Sequence, residues 1–195
     1  MKAAALSAAE AFMRAHDSDP EHALQVCRTS LALFDATRAL HKLGPAARRV
    51  LAAAALMHDT GFSVDVGRHH KHARDLILNA DLEGFSPNEQ RMVACVARYH
   101  RKAHPAPGHK VYRDLAGRDQ AVVRRLSALL RLADGLDRSH AGSTQAVRFR
   151  QKGDSAKLYV KQPGTNTTDI WGAERKRELF EQEFELQLEI LADNR

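Results

Sequence analysis

The sequence predicts a mainly α-helical fold, a helical bundle completed by a small C-terminal ββαβ unit, and three observations point to it. Apolar residues recur every three to four positions from the N-terminus to about residue 140. Strict in-out alternation replaces that period after Gly142. Capping and turn residues fall at the borders between the periodic segments. The change of period divides the chain into a helical domain over 1–141 and the ββαβ unit over 142–195, packed on it.

Ala3 to His16 reads as an alanine-rich helix. Asp19-Pro20 supplies an N-cap and a proline in the first helical turn. The helix they open carries Leu24, Cys27, Leu31, Phe34 and Leu40 on one side and ends at Gly44-Pro45. Ala46 to Asp59 is the next helix, its run Ala52-Ala53-Ala54-Ala55 leaving room for close neighbours, and Thr60-Gly61 stops it. Lys71 to Ala80 reads as a helix with Leu76 and Ile77 inward. Ser86-Pro87 caps another that runs to about Arg101, with Met92, Cys95, Val96 and Tyr99 as its stripe. Ala103 to Gly108 is loop, and Asp119 begins a helix that ends near Asp137. Val147 and Phe149 alternate with arginines, Leu158 and Val160 with Tyr159 and Lys161, and Lys152-Gly153-Asp154-Ser155 turns between them as a hairpin. A polar loop over Thr165 to Asp169, a helix over Glu174 to Phe184 and a strand with Leu186, Leu188 and Ile190 complete the unit.

Composition narrows the function classes. With 195 residues and 44% hydrophobic content the chain buries roughly 70% of its unfolded surface, which excludes disorder throughout and two large enzyme lobes side by side. The longest apolar run, Val50 to Met57, is far shorter than the ~20 residues of a membrane span, so the expectation is a soluble cytoplasmic protein without a membrane partner. Cys27 and Cys95 sit in apolar patterns and read as core thiols. A net charge of +6 favours an anionic partner without requiring nucleic acid, because the basic residues are dispersed and no aromatic platform or reading motif accompanies them. The oligomeric state is open, a homodimer included.

Histidine stands out: there are 11, and 7 of them lie between His58 and His109. The most specific feature is the pair His58-Asp59 at the end of the alanine-rich helix. Its weight comes from His22, His72, His100 and Asp134, each near the end or middle of a different predicted helix. A bundle can turn such residues to one point, and imidazole with carboxylate donors suits Mn, Fe, Co, Ni or Zn. Taken alone, each histidine is equally a half-buried polar residue, and Asp59 equally a helix-end acceptor.

The pattern His22…His58-Asp59…Asp134 resembles the HD-domain superfamily of metal-dependent phosphohydrolases. The words around it, Leu56-Met57-His58-Asp59-Thr60-Gly61, Arg68-His69-His70-Lys71-His72, Ala97-Arg98-Tyr99-His100-Arg101-Lys102, Leu130 to His140 and Trp171-Gly172-Ala173-Glu174-Arg175, are similar to the C-terminal region of the Ppx/GppA (exopolyphosphatase/guanosine pentaphosphate phosphatase) family. The similarity covers roughly residues 20 to 190. Nothing matches that family's actin-like N-terminal lobes, so the resemblance implies a free-standing HD bundle rather than the family's usual exopolyphosphatase site.

Carried over by position, the resemblance implies His22, His58, Asp59 and Asp134 as metal ligands, with His72 and His100 as the further histidines of a two-metal branch. His72 is taken ahead of His69 and His70 because it opens the helix leading into Leu76-Ile77, and Asp134 ahead of Asp137 as the first aspartate of Asp-x-x-Asp. Asp59, His72 and His100 are then the catalytic residues, around one or two divalent transition-metal ions. The implied activity is hydrolysis of a nucleotide or other phosphoester or phosphoanhydride through a metal-activated hydroxide. Lys71, Arg98, Arg101, Lys102, Arg131 and Arg138 flank these positions and are the candidates for holding the phosphates of a phosphorylated small molecule or polyphosphate. The competing expectation is a non-catalytic regulatory module that binds polyphosphate or a phosphorylated alarmone.

Overall fold

The structure is a computed structural model that describes residues 2–164 and 167–193. Ten helices and three strands follow one another among the described residues: α1 (Lys2–His16), α2 (Pro20–Ala36), α3 (Arg38–His41), α4 (Pro45–Met57), a 3-10 turn (Thr60–Ser63), α5 (His69–Asn79), α6 (Pro87–Arg98), α7 (Lys110–Arg113), α8 (Gly117–Gly135), β1 (Ala146–Lys152), β2 (Ser155–Lys161), α9 (Thr167–Glu174), α10 (Glu178–Phe184) and β3 (Gln187–Ala192). The mainly helical architecture with a small C-terminal sheet is therefore the observed one. No helix of the described residues is long and apolar enough to cross a membrane.

α4 is the central helix. Val50 to Met57 are all buried, and their small side chains let α1, α2, α6 and α8 pack around it. Local signals start these helices as expected. The Asp19 side chain accepts from the His22 amide at the head of α2, and Ser86 and Glu89 exchange a full capping box at the head of α6. The inward face of α2 is displaced from most of the expected stripe: Phe34 is buried as expected, and so are His22, Gln25, Val26, Thr29, Ser30 and Leu33, whereas Leu24, Cys27 and Leu31 are half-buried. Polar residues take these inner positions because they find partners there. The Gln25 amide donates to the Thr144 carbonyl at 2.7 Å, and Gln25 also reaches Thr29.

Elsewhere the borders move. α2 stops at Ala36 and the separate turn α3 follows; α6 ends at Arg98, and α7 forms beyond the expected loop. The tail is ββααβ rather than ββαβ. Of the expected polar loop, Thr165 and Asn166 lie outside the described residues, and from Thr167 onward the chain is helical. α9 was hidden because it has no amphipathic stripe and its anchor is a carboxylate. Asp169 is fully buried and accepts from the Ser139 amide at 2.8 Å and from the Ser143 hydroxyl at 2.8 Å. β1 and β2 pair antiparallel, Phe149 opposite Leu158; β2 and β3 pair parallel, Leu158 opposite Ile190. One face of the sheet, with Leu158, Val160, Leu188 and Ile190, is buried, and β1 packs against α2.

Glycines set the two closest approaches. A Cβ on Gly61 would lie 2.2 Å from the His69 carbonyl oxygen, so only glycine lets the 3-10 turn lie on the start of α5. A Cβ on Gly172 would lie 2.5 Å from the Gly135 carbonyl oxygen, which presses α9 against the end of α8.

A buried histidine and aspartate cluster under a basic rim

Five helix ends converge on one point. His22 is in the first turn of α2, His58 and Asp59 follow the last residue of α4, His69 opens α5, His100 lies just beyond α6, and Asp134 is in the last turn of α8. α4 ends where it does because Asp59 leaves the helical region (φ −106°, ψ 2°), while the Thr60 hydroxyl donates to the Met57 carbonyl at 2.9 Å. His22, His58, Asp59, His69 and His100 are all buried.

The ligating atoms form two groups. One nitrogen or oxygen each from His22, His58 and Asp134 lie within 4.8 Å of one another, as do one each from Asp59, His69 and His100. Asp59 joins them: its Oδ2 is 3.4 Å from His58 Nε2 and 3.8 Å from His22 Nε2, and its Oδ1 is 3.3 Å from His69 Nε2 and 3.5 Å from His100 Nε2. Each imidazole is held by its other nitrogen. Nδ1–H donates to the Ala55 carbonyl from His58 (2.8 Å), to the Ala97 carbonyl from His100 (2.7 Å), to the Val66 carbonyl from His69 (2.8 Å) and to Asp137 Oδ2 from His22 (2.8 Å). These bonds assign the tautomer of His58, His69 and His100, whose Nε2 lone pairs face inward, and aim His22 Nε2 at Asp59 and Asp134. His69 Nε2 and His100 Nε2 face each other at 3.3 Å, and buried His58 Nε2 and Asp59 Oδ1 have no hydrogen-bond partner. Two inward lone pairs at that distance repel unless a cation lies between them. Donors ~2.1 Å from one ion are about 3.0–3.4 Å apart, so the residues present fit a divalent metal held by imidazole and carboxylate.

Protonation follows burial and charge. Burial pushes Asp59 up to about 7, with the Asp134 carboxylate adding to it and His69 and His22 opposing. Burial would also raise Asp134, but Lys176 and His22 outweigh it and hold the carboxyl well below its usual range. His22 is the reverse: burial lowers it, yet Asp134 and Asp137 raise it to about 10. Burial drives His58 down to about 4 and His100 well below the ordinary imidazole value.

His72 is not part of the cluster. Its Nε2 lies 4.0 Å from Asp65 and its side chain is partly exposed, while His69 takes the expected place. The reason is helix phase: α5 opens at His69, not Lys71, and His69, Ala73 and Ile77, four residues apart, form its buried face. That spacing was the available signal. Asp137, set aside as a ligand, orients His22 and accepts from the Gly142 amide at 2.8 Å.

Above the cluster opens a cleft of about 350 Å³. Arg101, Lys102, Arg131 and Arg138 line it as the flanking-residue argument expects; Lys71 and Arg98 do not. Lys71 is exposed, and Arg98 stacks on Tyr99 with its guanidinium carbon 5.3 Å from the ring centre. Arg131 is buried and donates to the carbonyls of Tyr99 (3.1 Å) and Lys102 (3.3 Å), which fixes the turn carrying His100. Arg101 Nη1 is 3.2 Å from both ring nitrogens of His69. Residues not foreseen complete the wall: Phe62 stacks on His69, His140 stacks on His22 with ring centres 3.9 Å apart, and Trp171, Arg175 and Lys176 enter from the α9 side. Lys176 forms an ion pair with Asp134. An acidic, imidazole-rich floor below a cationic rim can place a cation and a polyanion in contact.

Comparison with known proteins gives the following. The family profile described as Ppx/GppA phosphatase, domain III matches residues 6–185. The chain is 30% identical over 84 residues to a guanosine-5'-triphosphate,3'-diphosphate pyrophosphatase of Pseudoalteromonas translucida, covering 43% of this chain and 16% of that protein. It is 27% identical over 126 residues to the protein of the same name from Aeromonas hydrophila, covering 64% of this chain and 25% of that protein. The matched part is thus a quarter or less of those relatives' length.

Proposed function

The chain belongs to the Ppx/GppA phosphatase domain III family, and from that premise we propose that it is a metal-dependent phosphohydrolase of the HD type, cleaving a nucleotide or another phosphoester or phosphoanhydride. The observation that carries this reading is the orientation of four buried imidazoles, each tied at Nδ1 and presenting Nε2 toward Asp59 or Asp134. His22, His58 and Asp134 would hold one ion, His69 and His100 a second, with Asp59 between them. When bound, such ions neutralise phosphoryl oxygens and lower the pKa of water from 15.7 to near ~7.

The protein's own groups do the rest. The carbonyls of Ala55, Ala97 and Val66 keep His58, His100 and His69 in the tautomer that leaves Nε2 without a proton, and Asp137 fixes the His22 ring with Nε2 toward Asp59 and Asp134, where its proton gives way to an incoming ion. Arg101, Arg138 and Arg175 line the cleft where non-reacting phosphates would lie, and their charge offsets that of the substrate. Phe62 covers the outer side of His69 and limits water there.

The test is elemental analysis of protein purified without chelator, followed by a nucleotide and phosphoester screen with Mn²⁺ or Fe²⁺. Expected are stoichiometric metal and phosphate release that Asp59→Asn abolishes. Metal-loaded protein that turns over nothing in a broad panel would overturn the reading. One observation favours a second reading, a non-catalytic polyphosphate- or alarmone-binding module: the Lys176 ammonium already neutralises Asp134. Salt-sensitive polyphosphate binding that survives Asp59→Asn, without turnover in the wild type, would select it.

A further inference from the structure

Trp171, the only tryptophan of the chain, is 52% exposed at the mouth of the cleft. Its place is fixed. The neighbouring Gly172 is pressed against Gly135, so α9 cannot slide along α8 without a backbone clash. The Arg175 guanidinium carbon sits 5.1 Å from the centre of the indole ring system, which occupies one π face and leaves the other for a planar ligand. The indole also separates two unlike spaces. On one side is the cleft with Arg101, Arg138 and Lys176; on the other is a shallow apolar hollow of about 330 Å³ bounded by Ile170, Ile190 and Leu191. A ligand that satisfies both sides is planar and weakly polar at one end and polyanionic at the other.

We propose that Trp171, backed by Arg175, is a nucleobase-stacking platform, and that the cleft therefore takes a nucleoside phosphate in preference to bare polyphosphate. The proposal rests on reading the cleft as a phosphate site. Bases stack on exposed indole regardless of their identity, and the neighbouring cationic groups hold the phosphates. Inorganic polyphosphate meets the same cations but leaves the indole face and the hollow unused.

The single tryptophan makes the test direct. GTP, ATP and inorganic tripolyphosphate are titrated into the purified chain, with Mn²⁺ and again with EDTA, while indole fluorescence is followed and affinities are measured by calorimetry. Both nucleotides are expected to quench the fluorescence, and tripolyphosphate to bind without comparable quenching. Trp171→Ala should weaken GTP and ATP binding about fivefold to a hundredfold, the range that loss of base stacking gives, while Trp171→Phe restores most of it. Tripolyphosphate affinity should change by less than about twofold. Equal quenching by tripolyphosphate, absence of nucleotide binding, or unchanged nucleotide affinity in Trp171→Ala overturns the proposal. Quenching without turnover in Mn²⁺ supports the platform and overturns only hydrolysis.

Discussion

At the scale of single residues, the far nitrogen of each imidazole decides what the near one can do. His22, His58, His69 and His100 each spend Nδ1 on a fixed acceptor, and only then do four Nε2 atoms meet two carboxylates. His72 has no such arrangement; its ring reaches no nearer than 4.0 Å to Asp65, outside the cluster. On the proposed metal reading, His69→Ala should lower metal affinity at least about tenfold, while His72→Ala should leave it unchanged. Asp137→Ala should weaken it about 10–100-fold, as loss of a group that orients a ligand does. Isothermal titration with Mn²⁺ or Zn²⁺ reads all three, and a His72→Ala loss equal to that of His69→Ala would reverse the assignment. From sequence, His22, His58, Asp59, His100 and Asp134 were legible because the motif words name them. His69 was signalled only by its four-residue spacing to Ala73 and Ile77, a weak mark inside the run Arg68-His69-His70-Lys71-His72, where the start of α5 decides which histidine faces inward.

At the scale of elements, capping chemistry was readable and the inward faces were less so. Asp19-Pro20 and Ser86-Pro87 mark their helices because a cap is a local bond between neighbours in the chain. The face of α2 was displaced because Gln25 and Thr29 go inside, their partners lying more than a hundred residues away or one turn along. α9 was missed for the same reason, its anchor being a carboxylate paired with distant serines. The α8–α9 contact yields a test at this scale. Gly172→Ala puts a Cβ 2.5 Å from the Gly135 carbonyl oxygen and 2.8 Å from the Arg138 Cβ, and since the backbone carbonyl cannot rotate away as a side chain can, the helices must separate. The cost should be about 1–3 kcal/mol, typical of overpacking, which lowers Tm by roughly 2–4 °C for each kcal/mol in a chain of this length. The same shift moves Trp171, Arg175 and Lys176 off the cleft, so affinity for GTP should fall in parallel. Thermal unfolding and calorimetry check the two effects. A Tm unchanged within error would show that the contact yields without strain.

At the scale of the whole molecule, the cluster links folding to cations, because its ligating groups come from five segments that only the folded bundle brings together. A metal bound to the folded chain alone stabilises it by about 2.7 kcal/mol at a concentration of 100 times Kd, or roughly 5–10 °C in Tm. The pH dependence of that gain has a definite sign. His22, at about 10 in the folded protein against 6.5 unfolded, binds more protons folded than unfolded between those values. Its stabilisation is complete below pH 6.5 and is lost as pH rises toward 10, so with chelator present stability should decline through this window. His58, at about 4, is already neutral above pH 7 in both states and adds no slope there. Asp59, at about 7, has given up its proton by pH 8. A divalent cation needs the deprotonated ligands, so the Tm increment from Mn²⁺ should grow between pH 7 and 9 while the chelated protein loses stability. Differential scanning fluorimetry at several pH values, with Mn²⁺ and with EDTA, measures both slopes. An increment that shrinks as pH rises, or that persists in Asp59→Asn, would mean that protons and metal do not compete for this cluster.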